Sequence, residues 1–319
     1  MSEKISVIIP LFNKGPYIAR ALNSVLNQTY QDFEVIVVDD GSTDNGAEIV
    51  RGFDDPRIRL IRQENRGVSA TRNQGFDKAI SDYIAFLDAD DEWMPKHLET
   101  ILRLIENFPL AGMYTTAYKR RTPSGKTRWD CYKFIPHPPW EGLLPDYFKS
   151  AALGESPVCS SVVVIPRKIF IETRGFPEGY WYGEDSDLFG KIALKYPVAF
   201  SWEFGAIYHA DALNRACDRK LPLENEEPFV ITARAELMKG EVPQKFTESL
   251  NEYICRKEII RAYRNIRAGH SDIARIILKQ CNTKWHYNEK MKWLLLAKIP
   301  YPLYLFARDI RRKLKKIVQ

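Results

Sequence analysis

Three runs of β-branched and aromatic residues carry little polar interruption: Ile5-Ser-Val-Ile-Ile9, Phe33-Glu-Val-Ile-Val-Val38 and Tyr83-Ile-Ala-Phe-Leu87. A strand with one wet face alternates apolar and polar residues, whereas a strand covered on both faces does not. Helical spacing fills the gaps between these runs. Ile18, Leu22, Val25 and Leu26 fall on one side of 17–26, Asp44 can cap a helix through Ala47 and Val50, and 68–80 reads as a third helix. Ile58-Arg-Leu-Ile61 is a shorter strand. Strand and helix alternating in this way predict a parallel α/β sheet. Such sheets bind ligands at the carboxyl ends of their strands. Asn13, Asp39-Asp40 and Asp88-Ala89-Asp90-Asp91 stand at those ends.

The pattern then changes. Residues 111–142 are rich in Tyr, Trp and Pro and read as strands and loops. Ser160–Ile165 and Val198–Trp202 are further strands, and 184–195 resumes helical spacing. From about Asn225 onward the chain reads as helices over Phe229–Met238, Phe246–Ile266 and Ser271–Leu278. A boundary is expected near residue 220.

Composition excludes several classes. The 319 residues are 45% hydrophobic and 28% charged, ordinary for a soluble globular chain and unlike a disordered or collagenous one. The net charge of +6 is uneven: residues 308–319 hold Arg308, Arg311, Arg312, Lys313, Lys315 and Lys316 against Asp309 alone. A nucleic-acid binder spreads its charge over a face, so no nucleic-acid partner is expected. Five scattered cysteines lack zinc or redox spacing and read as reduced thiols in the cytoplasm. The N-terminus leads straight into a strand without a signal-peptide pattern, and no apolar run is long enough to span a bilayer.

Five clusters can carry chemistry. Asp88 and Asp90, two apart beyond a buried strand, can face one crevice and offer the oxygen ligands that Mg2+ and Mn2+ prefer, or they can form a turn and cap the next helix. Asp39-Asp40-Gly41-Ser42-Thr43-Asp44 can accept the N3–H of a uracil ring, or can be a β-turn with a helix cap. In Gly183-Glu184-Asp185-Ser186-Asp187-Leu188 a carboxylate can act as general base, or the acids can complement a helix dipole. His209 in Tyr208-His209-Ala210-Asp211 is either a metal ligand or a structural histidine. In Asn65–Asn73, Arg72 sits one helical turn in, within reach of a phosphate or of nearby carboxylates.

Taken in order, these pieces resemble the inverting family-2 glycosyltransferases of GT-A fold. Val7-Ile-Ile-Pro-Leu-Phe-Asn13 is similar to that family's opening strand and turn, with Phe12 where a tyrosine is usual. Ser24–Tyr30 with Phe33-Glu34, Asp39–Asp44, Asn65–Asn73, Phe86–Asp91 and Gly183–Leu188 follow in the family's sequence. The resemblance covers about residues 4–211. It implies a mostly parallel, Rossmann-like α/β sheet of GT-A type flanked by helices, with a C-terminal helical appendage. Within that frame 1–220 is the expected catalytic domain, with a nucleotide-sugar half of about 1–110 and an acceptor half of about 111–220. Residues 221–319 form the helical region with its basic amphipathic tail.

The resemblance also implies roles. Pro10, Asn13 and Asp40 line the nucleobase site with Asp39 close by, and Arg72 and Asp88 belong to the donor site. Asp90 and Asp88, with His209, are the expected ligands of Mn2+ or Mg2+. Asp185 is the expected base and Glu184 orients sugar or acceptor. The reaction implied is inverting transfer from a nucleoside-diphosphate sugar, taken as UDP-linked, to a hydroxyl of a surface polysaccharide or lipid-linked oligosaccharide. Rival readings are a sugar-nucleotide nucleotidyltransferase, whose usual glycine-rich phosphate loop is replaced here by Pro10-Leu-Phe-Asn13, and a non-catalytic nucleotide-sugar binding module. At the C-terminus, Trp293–Ala297 and Ile299–Ala307 precede the basic tail and suit peripheral contact with the inner face of a membrane. The alternative is a helix packed on the catalytic domain. Pro300 and Pro302 exclude one straight helix.

Overall fold

The apolar runs at Ile5–Ile9, Phe33–Val38, Ile58–Ile61 and Tyr83–Phe86 are strands. The computed structural model describes residues 4–129, 132–215 and 225–305. Its first half runs β1 (Ile5–Leu11), α1 (Gly15–Leu26), β2 (Phe33–Asp40), α2 (Gly46–Arg51), β3 (Ile58–Gln63), α3 (Val68–Lys78) and β4 (Tyr83–Phe86). There follow β5 (Glu92–Trp93), α4 (His97–Asn107), β6 (Met113–Arg121), β7 (Thr127–Trp129), β8 (Glu141–Leu143) and α5 (Tyr147–Leu153). Then come β9 (Val163–Pro166), α6 (Arg167–Glu172), α7 (Glu184–Lys195) and β10 (Val198–His209). The remaining helices are α8 (Pro228–Lys239), α9 (Gln244–Ala268), α10 (Ser271–Gln280) and α11 (Tyr287–Leu296). By compactness the chain divides into residues 1–216 and 217–319.

The described strands make one sheet ordered β3-β2-β1-β4-β9-β6-β10-β5, with β7 beside β6 and β8 beside β10. β3, β2, β1 and β4 are parallel. β9 runs antiparallel to both β4 and β6, so β6 points the same way as β4, and β10 is parallel to β6. The carboxyl ends of β1, β2, β4, β6 and β10 therefore leave the sheet along one edge, where ligand sites of such sheets lie. β2 is buried along its whole length, as its apolar run requires.

Two close approaches set the geometry of that edge. A Cβ on Gly75 would lie 2.4 Å from Ile8 Cγ2, so only glycine lets α3 settle onto β1 and bring Arg72 down to the strand ends. A Cβ on Gly205 would lie 2.1 Å from Thr116 Oγ1 and 2.2 Å from His97 Nδ1. β10 extends to His209 rather than ending near Trp202 because bulges around Phe204 absorb the local misfit and keep it paired with β6. Ser160–Val162, expected as strand, is a single 3-10 turn that precedes β9.

The second unit has its own core: Ile259, Ala262 and Ile266 of α9 meet Ala274, Ile277 and Leu278 of α10, with Ala297 beside them. Trp293, Leu294 and Tyr304 pack against this core, so part of the C-terminal apolar stretch faces inward, whereas Leu295, Ile299 and Leu303 are exposed. No described helix is long and apolar enough to cross a membrane. The basic residues from Arg308 on lie outside the described residues.

Phe86, the last residue of β4, is fully buried and meets Phe170 at 5.9 Å and Phe176 at 5.2 Å between ring centroids. Phe86→Ala should lower unfolding free energy by about 3–5 kcal/mol, the cost of an emptied aromatic site. Urea denaturation followed by circular dichroism reads this, and a loss below about 1 kcal/mol would show that the cluster does not hold β4.

Candidate active site

The first loops of the edge are laced together by short polar side chains. β1 ends at Leu11, and Asn13 takes a left-handed conformation (φ 51°) before α1. Its backbone N–H donates to Ser42 Oγ at 3.0 Å and its Oδ1 accepts from Thr43 N at 2.8 Å. Asp44 accepts from the N–H groups of Gly15 and Gly46 at 2.7 and 3.0 Å. Pro10 is half-buried in β1. Thus Pro10, Asn13 and the 39–44 turn share one wall.

The two adjacent acids have different work. Asp40 spends both oxygens on the next loop: it accepts from Gln63 Nε2 at 2.6 Å, Arg66 N at 2.9 Å and Gly67 N at 2.9 Å. Asp39 is fully buried and accepts from Ser42 N at 2.9 Å. Among the described residues its second oxygen has no hydrogen-bond donor, and Arg62 Nε lies 3.3 Å away.

Arg72, projecting from α3, is the centre of the acid cluster. It is 3% exposed. Nη2 donates to Asp88 Oδ1 at 2.8 Å, Nη1 donates to Glu184 Oε1 at 3.1 Å, and the guanidinium lies 5.0 Å over the Phe176 ring. Burial by itself would lower the Arg72 pKa, but the charges of Asp88, Glu184 and Asp185 outweigh it and hold the group above its ordinary value. Gly183, at φ 81°, turns the chain so that Glu184 and Asp185 open α7. Asp185 is half-buried and accepts from its neighbour Ser186 N at 2.6 Å. Glu184 is pushed up to about 7, first by burial and then by the charge of Asp185, with Arg72 opposing.

Asp88-Ala89-Asp90-Asp91 divides its labour as well. Asp90 Oδ2 accepts from Lys14 Nζ at 2.6 Å, and the same ammonium donates to the Leu213 carbonyl at 2.8 Å and the Asn214 carbonyl at 3.4 Å. Arg20 donates to the Asp90 carbonyl. Asp91 is buried and ties β4 to β10: Ser161 Oγ donates to it at 2.5 Å and His209 N at 2.8 Å. Burial first, then Asp90 and Asp88, raises its pKa well above the carboxylate range.

Asp88, Glu184 and Asp185 thus converge on Arg72, while Asp90 stands on Lys14. His209 is directed elsewhere. Its ring nitrogens lie 3.1 Å from Glu92 Oε1 and 3.3 Å from Asp211 Oδ1. Among the described residues, no three His, Cys, Asp or Glu side chains are grouped to hold a metal ion. Sequence reasoning missed Lys14 as a site residue. Its position directly after Asn13, between a strand end and a helix start, was the available signal.

Comparison with known proteins extends this picture. The model of the family described as glycosyl transferase family 2 matches residues 6–174. The chain is 42% identical over 109 residues to glycosyltransferase GlyG of Streptococcus pneumoniae, covering 33% of this chain and 36% of that one. It is 35% identical over 195 residues to an uncharacterized glycosyltransferase of Rickettsia conorii, covering 60% of this chain and 30% of that one. These matches span about a third of each relative's length, 36% and 30%. Among solved structures, S. aureus TarS in complex with UDP-GlcNAc superposes with a TM-score of 0.68 at 18% identity, over 88% of this chain and 82% of that chain. A mannosyltransferase, PcManGT from Pyrobaculum calidifontis in complex with GDP-Man and Mn2+, gives 0.61 at 17%, over 96% and 86%. At such identity the likeness carries the fold, which is the GT-A arrangement expected from the sequence.

The raised pKa of Glu184 has a consequence for stability. The native state keeps a proton that the unfolded chain releases near 4.5, so between there and about 7 stability falls as pH rises. Glu184→Gln should flatten this decline, a difference of up to roughly 3 kcal/mol between pH 5 and pH 8. Urea titrations of both proteins at the two pH values test it, and parallel pH profiles would show that Glu184 titrates normally.

Proposed function

The chain belongs to glycosyl transferase family 2, and we propose that it moves a sugar from a UDP-linked donor to an acceptor hydroxyl with inversion at the anomeric carbon. The observation that carries the reading is the buried Arg72, which holds Asp88 from the nucleotide half and Glu184 from α7 on one guanidinium. On this reading Asp185, the residue after Glu184 at the start of α7, lies within the charge field of the same guanidinium.

Asp185 serves as general base. It is half-buried, and the acceptor proton passes to its carboxylate as the acceptor oxygen attacks the anomeric carbon. Glu184, raised toward neutrality, holds a sugar or acceptor hydroxyl either as donor or as acceptor. Arg72 fixes both acidic strand and helix ends and keeps positive charge beside the donor. Pro10, Asn13 and the 39–44 turn form the nucleobase wall. Asp40 shapes the 63–67 loop, and Asp39 has acceptor capacity to spare.

The donor set fits a hard divalent cation. Asp90 Oδ2 and the Leu213 and Asn214 carbonyls already surround one cationic group, the Lys14 ammonium. Asp90 and Asp88 would hold Mn2+ or Mg2+, with His209 left to Glu92 and Asp211. A bound ion of this kind neutralises charge developing on the departing diphosphate. The acceptor is proposed to be a saccharide of a surface polysaccharide or lipid-linked oligosaccharide. Exposed Leu295, Ile299 and Leu303 supply apolar contacts suited to peripheral attachment at the cytoplasmic face of a membrane.

Asp185→Asn should bind UDP-sugar as the wild type does and transfer about 10²–10⁴-fold more slowly. Calorimetry and release of UDP in the presence of acceptor measure the two, and an undiminished rate would remove Asp185 as base. Lys14→Met should tighten Mn2+ binding, read by paramagnetic resonance titration, by roughly five- to tenfold, the scale of one partly exposed ion pair. Equal or weaker affinity would show that Lys14 and the ion do not compete.

A further inference from the structure

The hairpin that continues β6 beyond the sheet edge reads Lys119-Arg-Arg-Thr-Pro-Ser-Gly-Lys-Thr-Arg-Trp129, five cations with no acid. In the β6–β7 register Arg120 stands directly opposite Arg128. Directly opposed residues share a face of the ribbon, and like charges there destabilise the pair. Arg128 has no ion pair among the described residues. On the same face, Arg120 pairs across β10 with Tyr208. The Arg120 guanidinium lies 5.3 Å from the Tyr208 ring centre and that of Arg215 lies 5.2 Å away. Arg215 also donates to Tyr208 Oη at 2.7 Å and to the Ala210 carbonyl at 2.8 Å. Glu155, 3.2 Å from Arg120, is an acid on this face. Arg120 and Arg215 thus meet on one tyrosine, and Arg128 stands opposite Arg120 on the same face of the ribbon.

Two segments connect this group to the acids of the site. Glu155 lies four residues before Cys159, whose thiol is pushed up by burial and by the charges of Asp91, Asp88 and Asp185. Arg215 directly follows Leu213 and Asn214, whose carbonyls take the ammonium of the Lys14–Asp90 pair. Arg215, and Arg120 with it on Tyr208, therefore border the Lys14–Asp90 pair on the side of the sheet's second half. Guanidinium forks match carboxylate and phosphate oxygens geometrically.

We infer that Arg120, Arg128 and Arg215 form an anion subsite for the acceptor, so that the acceptor is a glycan carrying phosphodiester or carboxylate groups. The inference rests on the glycosyl-transfer reading and names the class of substrate it takes. The shared chemistry is a negatively charged oxygen group within a few sugar residues of the attacking hydroxyl. Binding through it weakens with ionic strength.

The test measures thermophoretic binding of the full chain to yeast phosphomannan, polygalacturonate, neutral dextran and a single-stranded oligothymidylate, with UDP and Mn2+ binding followed separately. The wild type should bind at least one charged glycan and not dextran, and the stronger of the two identifies phosphate or carboxylate. Arg128→Gln with Arg215→Gln should weaken that binding about tenfold or more, the scale of lost charge-assisted hydrogen bonds, while Arg128→Lys with Arg215→Lys should recover part of it. Arg128→Gln alone, at an exposed position, serves if the double variant does not fold. Binding of neither charged glycan, equal binding of dextran, equal binding of the variants, or oligothymidylate bound as tightly as the glycans would each overturn the subsite. A parallel loss of UDP binding in the variants would reassign the arginines to the donor. Failure of the wild type to bind UDP would count instead against the glycosyl-transfer reading.

Discussion

One buried guanidinium organises the edge where the strands end. Arg72 reaches from α3 to Asp88 at the tip of β4 and to Glu184 at the start of α7. Removing a charge from water is expensive unless partners restore what hydration supplied. Arg72 is nearly inaccessible, so Asp88 and Glu184 take the hydrogen bonds that water would otherwise accept, and its position fixes theirs. The close packing of Gly75 on Ile8 sets the depth at which α3 delivers it. The Phe76, Phe86, Phe170 and Phe176 rings pack beneath the same region and give the charges a rigid floor.

Around that centre, acids of similar appearance have separate duties. Asp40 and Asp91 are structural ties, one to the 63–67 loop and one between β4 and β10. Asp90 and Asp185 are left with local or replaceable partners: an ammonium for the first, its own helix turn for the second. Such a division suits a transferase. On the proposed roles, the groups that exchange protons or ligands are not locked into the fold, and the groups locked into the fold position them. Lys14 joins Asp90 to the 213–214 backbone and so connects the first strand end with the segment leaving β10.

Much of this was legible along the chain. The uninterrupted apolar runs were read as strands covered on both faces, and β1, β2 and β4 are that. Acids placed just beyond those runs had to emerge at one edge, because parallel strands end together. The periodicity ends β10 at Trp202, yet bulges around Phe204 and the close approach at Gly205 keep the strand paired to His209. The C-terminal apolar stretch allows either membrane contact or a packed helix; Trp293, Leu294 and Tyr304 turn into the core of their own helical unit, and Leu295, Ile299 and Leu303 stay exposed.

What the sequence determined by itself is therefore the elements from β1 to β4, the direction of those strands and the family order of the motifs. These depend on local periodicity, on turn residues and on the side on which a strand must end. What the tertiary structure decided is the assignment of work among neighbouring carboxylates. Arg72 and Glu184 are 112 positions apart and Lys14 and Asp90 are 76 apart. Hydrogen bonds and ion pairs act over a few ångströms, so which acid is tied down and which is left available is set by packing between distant segments. The Asp-x-Asp spacing is the same in either case. Only the folded chain sets Asp88 on an arginine and Asp90 on a lysine.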